Sequence, residues 1–93
     1  MSEVEAATPT KFVKRPVKID AYQLGVGGSF ARAAAWINAE GGHARWTFEL
    51  LIIDTLEGTM EARSGWWVIK GVKSEFYACE PEIFELTYSK ADA

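Results

Sequence analysis

Ninety-three residues with a net charge of −3 and a pI near 5.1 make one domain, with a modest core that buries roughly 60–65% of the surface its unfolded chain exposes. A composition of 48% hydrophobic, 13% aromatic and 25% charged residues excludes a disordered tail, and the mild acidic balance argues against nucleic acid as a partner. No apolar run approaches the ~20 residues that span a bilayer, the N-terminus lacks a signal-peptide pattern, and the lone cysteine, Cys79, leaves no intramolecular disulfide, so the expected setting is a reducing cytoplasm without membrane contact.

Residues 1–10, MSEVEAATPT, are small, polar and aperiodic and read as a flexible arm. Residues 89–93 read as a tail for the same reason, which leaves 11–88 as the folded domain. Residues 11–24 read as a first strand, because Val17, Ile19 and Ala21 alternate with Lys18, Asp20 and Tyr22. Pro16 has no N–H to give a ladder and belongs at the strand start or on an edge. Gly25, Gly27 and Gly28 break the strand.

Residues 29–40 carry the clearest helix signal. Ser29 can cap it, and Phe30, Ala33, Ala34 and Ile37 fall on one stripe at i, i+3, i+4 and i+7. The alanine run adds propensity, Gly41 and Gly42 end the helix, and Trp36 sits off the stripe at the rim of the core. Residues 46–55 then read as a central strand, with Trp46, Phe48, Leu50 and Ile52 on one face and Leu51 and Ile53 on the other.

Residues 56–59 form a hairpin turn in which Gly58 is free to take positive φ, leading to a short strand over 59–63. Ser64-Gly65 is a second turn. Residues 66–72 form a fourth strand, with Trp67 and Ile69 on one face, Trp66, Val68 and Val72 on the other, and Gly71 marking a bulge or close approach. Lys73-Ser74 turns the chain into a strand over 75–79. Pro81 starts a single helical turn, and residues 84–88 close the chain as a last strand beside the first. The predicted fold is α+β: an antiparallel sheet of about five or six short strands with one helix packed on one face.

Little in this pattern points to catalysis. His43 and Cys79 are the only residues of their kinds, and a strand cysteine is more often a small hydrophobe than a nucleophile. One His and one Cys do not make a structural zinc site. The acids Asp54, Glu57 and Glu61 around Gly58, and Glu80, Glu82 and Glu85 around Pro81, read as solvated loops. The loop at 25–29 leads from a strand to a helix, where phosphate loops sit, but it lacks both GxGxxG and GxxxxGK[ST]. No catalytic residue, metal or cofactor is therefore expected. The unusual feature is four tryptophans, and an exposed aromatic on an acidic domain more often marks a protein interface than a base-stacking platform.

Several segments resemble one family. They are Lys14-Arg15-Pro16-Val17-Lys18-Ile19-Asp20-Ala21, Asp54-Thr55-Leu56-Glu57-Gly58-Thr59-Met60, Ile69-Lys70-Gly71-Val72-Lys73-Ser74-Glu75-Phe76-Tyr77 and Cys79-Glu80-Pro81-Glu82-Ile83-Phe84-Glu85-Leu86-Thr87-Tyr88. In this order they resemble a widespread family of small, uncharacterised bacteriophage and prophage proteins, with an actinobacterial phage as the implied source. Three places depart from the family pattern. Gly-Asp-Tyr is here Gly65-Trp66-Trp67, Tyr-Pro-Cys-Lys-Pro is Tyr77-Ala78-Cys79-Glu80-Pro81, and a glycine is Ser74.

The resemblance implies a non-virion accessory protein in the host cytoplasm. It would bind and modulate a host bacterial protein, such as a DivIVA-type growth scaffold or transcription, replication or defence machinery. The candidate contact residues are Trp66, Trp67, Tyr77, Glu57 and Glu61. A tryptophan-rich edge can also pair two copies, so a homo-oligomer is a second expectation. The alternatives are a small-ligand or nucleotide-binding module using the 25–29 loop, or nucleic-acid binding through Lys11, Lys14, Arg15 and Lys18.

Overall fold

Ser29 opens the long helix. In the computed structural model, which describes residues 6–25 and 29–90, its hydroxyl oxygen accepts the Arg32 N–H at 2.9 Å, and α1 runs over Phe30–Ala39. Residues 26–28 of the glycine loop, the first five residues of the arm and the last three of the tail lie outside the described residues. Gly41 takes φ 94°, and the Gly41 and Gly42 N–H groups donate to the Asn38 and Ile37 carbonyls at 3.2 and 2.9 Å. That pair of bonds satisfies the last helical carbonyls and ends the helix where the glycines predict. Gly42 is needed for space: a Cβ there would lie 2.6 Å from Ile37 Cγ2 and 3.0 Å from the Phe76 ring.

The class is α+β with six strands, as expected, but the strands divide into two three-stranded antiparallel sheets. In the first, β1 (Asp20–Gln23), β5 (Trp67–Lys70) and β6 (Phe76–Cys79) run in the order β1-β5-β6. In the second, β2 (His43–Trp46), β3 (Leu51–Thr55) and β4 (Gly58–Ala62) run in the order β2-β3-β4. A second helix, α2 (Pro81–Thr87), closes the chain.

Three local readings need correction. The strand expected over 46–55 is a hairpin. Thr47 Oγ1 accepts the Glu49 and Leu50 N–H groups at 3.2 and 3.0 Å, and this local bonding diverts the backbone from the ladder. Trp46 then pairs with Leu51, and Phe48 is left at the hairpin tip, 84% exposed. The strand expected from residue 11 begins only at Asp20; residues 11–18 are exposed and carry no regular structure. Pro16 cannot donate to a ladder, and four cations interrupt the apolar residues Phe12, Val13 and Val17, so neither side of the stretch is a continuous apolar face. The strand expected over 84–88 is helical, because Pro81 at the first helical position and Glu82 in the first turn start a helix that continues instead of stopping after one turn.

The main core lies between α1 and the inner faces of both sheets. It joins Ala33, Ala34 and Ile37 of α1, Leu51, Ile53 and Ala62 of the second sheet, Val68 and Phe76 of the first, and Leu24. Trp36 does rim this core, its ring edge-on to Phe76 at 5.2 Å. A second, smaller cluster covers the outer face of the first sheet. The register puts Trp67 with Cys79 and Ile69 with Tyr77 on that face. Phe84 of α2 stacks on Trp67 with ring centroids 4.0 Å apart, and Tyr88 follows at 4.9 Å from Phe84. Ile69 is fully buried beneath this layer, so β5 is apolar on both sides because both sides are covered.

Candidate functional site

Thr55 and Gly58 pair across the β3–β4 hairpin, leaving Leu56 and Glu57 as its two-residue tip. Thr55 Oγ1 donates to the Gly58 carbonyl at 2.6 Å and accepts the Glu57 N–H at 3.2 Å. Gly58 takes φ 125°, the freedom expected of it. A tip held this way presents Leu56 fully to solvent.

Facing the tip is the β5–β6 turn. The Gly71 N–H donates to the Glu75 carbonyl at 2.8 Å and the Ser74 N–H to the Gly71 carbonyl at 3.0 Å. A Cβ at Gly71 would run into the Glu75 carboxylate, so what approaches Gly71 is the end of a side chain and not the backbone its position suggested. Ser74 sits at φ 64°, the left-handed region that costs a residue with a Cβ.

Between tip, turn and the end of α1 lies a groove of about 750 Å³, within the range of ligand-binding clefts. Ile53, Leu56, Met60, Phe76 and Tyr77 form its apolar walls. Its ionisable rim holds Asp54, Glu57 and Glu75 against one cation, Lys73, with His43 beside them. Asp54 is already engaged: Arg45 binds it at 3.1 Å and the Thr59 hydroxyl at 3.3 Å. Glu57 and Glu75 have no ion-pair partner among the described residues. The groove is an apolar slot with a negative edge.

Of the five residues named from the sequence, Glu57 and Tyr77 meet in this groove. Glu61 stands outside it on the exposed face of β4, opposite Ile52. Trp66 packs against the main core and is held in place by the Leu24 N–H, which donates to its carbonyl at 2.8 Å. Trp67 is half-buried under Phe84. The Tyr77 hydroxyl hydrogen-bonds that of Tyr88 at 3.3 Å; burial first, and then this bond, hold the Tyr77 phenol above its ordinary pKa.

Sequence reasoning missed Leu56, Met60 and Phe76 as groove walls. The signal available was an apolar residue, Leu56, at a hairpin tip where polar residues are the rule. A shallower groove of about 420 Å³ runs between α1 and β2. There Asn38 satisfies the free edge of β2 by accepting the Ala44 N–H at 2.8 Å and donating to its carbonyl at 3.0 Å.

His43 and Cys79 lie on different sheets and form no pair. Burial first, and then the Glu80 charge, push the Cys79 thiol up, away from the thiolate a nucleophile needs. Among the described residues no three His, Cys, Asp or Glu side chains converge as a metal site requires. No helix among them is long and apolar enough to cross a membrane. The chain matches no family model, no curated protein and no solved structure.

Proposed function

We propose that this chain is a protein-binding module that acts by occupying a host protein, in the phage setting its sequence resemblance implies, and that it does no chemistry of its own. The groove between the β3–β4 tip and the β5–β6 turn is the contact site. A single observation carries the reading: apolar side chains, including a fully exposed leucine, wall a slot whose rim sets three carboxylates, Asp54, Glu57 and Glu75, against one lysine, Lys73. Such a slot selects an extended or helical segment that offers apolar side chains between basic ones. Glu57 and Tyr77 are the contact residues retained from the sequence reading, with Leu56 added as the apolar anchor.

Affinity capture from host lysate tests this. Wild-type protein is expected to recover a specific partner that the pair Leu56→Asp and Glu57→Lys loses, while Glu61→Lys, outside the groove, retains it. Equal capture by the groove variant, or no specific partner with wild type, contradicts the proposal.

A further inference from the structure

We infer that the groove also receives residues 11–18 of a second copy of this chain, giving a dimer that exchanges its N-terminal segments. The inference rests on the groove being a binding slot and names one ligand for it. Residues 11–18, KFVKRPVK, hold four cations and no acid, whereas residues 19–90 hold ten acids and six cations. The molecule is thus split into a basic strap and an acidic body, and that split attracts one copy's strap to another's body.

Among the described residues little covers the strap's apolar side chains. Phe12 is 89% exposed, Val13 93% and Val17 54%. In its own molecule the strap places Lys14 Nζ 5.7 Å from the centre of the Tyr88 ring. None of its residues lines the groove. What the strap offers (irregular backbone, apolar side chains, flanking ammonium and guanidinium groups) complements an apolar groove in which one lysine, Lys73, stands against three carboxylates. Apolar walls await Phe12 and Val13, and Glu57 and Glu75 await the cations. Because each copy carries both halves, two copies satisfy each other around a two-fold axis and the assembly closes.

Charge reversal tests this on the full-length chain by sedimentation velocity. Wild type is expected at twice the 10.3 kDa chain mass, with dissociation promoted by salt. The strap variant (Lys11→Glu, Lys14→Glu, Arg15→Glu, Lys18→Glu) and the groove variant (Glu57→Lys, Glu75→Lys) should each be monomeric, with unchanged circular dichroism since all six positions lie outside the core. Mixed, the two variants should form a heterodimer, because the reversed strap then matches the reversed groove. Phe12→Ser with Val13→Ser should weaken the wild-type dimer by about tenfold or more, the effect of losing ~1.4 kcal/mol.

A wild type that stays monomeric overturns the inference, including one whose strap is instead retained on DNA or on anionic vesicles. So does a dimer indifferent to strap reversal, or a mixture of the variants that fails to associate. A monomer that still captures a host protein through Leu56 and Glu57 overturns the exchange alone. A strap-exchanged dimer whose groove captures no host protein overturns the host reading alone.

Discussion

Ser74 holds its backbone at φ 64° in the turn between β5 and β6, where its N–H closes the loop onto Gly71. A left-handed conformation costs a residue with a Cβ roughly 1 kcal/mol that glycine does not incur. Ser74→Gly is therefore expected to stabilise the fold by about 1 kcal/mol in urea denaturation, less whatever the added freedom of the unfolded chain takes back; a clear loss of stability would contradict the turn geometry. At this scale the sequence was informative wherever a residue's local chemistry decided its place. Ser29, Gly41, Gly58 and Pro81 could each be assigned a cap, a helix end, a turn or a first helical position without knowing the fold. Asn38 could not. Its amide spans the edge of a strand six residues away, and only the tertiary arrangement brings the two together.

Elements were legible where one period dominated and illegible where two competed. The α1 stripe at helical spacing is unambiguous. Residues 46–55 alternate well enough for one strand, yet the Thr47 hydroxyl bonds to two following N–H groups and turns that run into β2 and β3. Phe84 and Tyr88 suit a strand by propensity, but they stand four apart, which puts them on one side of a helix. There they lie over Trp67 and Tyr77 and bury Ile69. The helix thus exists because it has an apolar sheet face to cover, a tertiary cause that overrides the propensity. Truncating Phe84 removes the stacked ring that covers Trp67. Phe84→Ala is expected to cost about 2 kcal/mol, below the value for a fully buried ring because Phe84 is only half-buried. Leu86→Ala, on the exposed side of the same helix at 89% exposure, is the control and should change stability by less than about 0.5 kcal/mol. Equal losses from the two would contradict the assignment of α2 as a cover over the sheet.

For the whole molecule, the α+β class followed from counting turns; the strand total agreed because one expected strand became two and another became a helix, and the division into two sheets did not follow. That division depends on β6 lying against β3 and β4 rather than extending their ladder, a relation between residues far apart in the chain. The groove was hidden for the same reason, since its walls come from three separated stretches of sequence. The charge split was visible from the start as a basic run in an acidic chain, and its meaning depends on that run being exposed on the folded body. The host-binding site and the exchanged dimer both require that the groove accept an extended segment that is both apolar and basic. A fluorescently labelled peptide of residues 10–19, titrated with the groove-intact strap variant and followed by anisotropy, tests it most directly. Saturable binding is expected, weakening with salt and lost when Leu56→Asp and Glu57→Lys are added. Absence of binding at low salt, or equal binding to the groove variant, would contradict it.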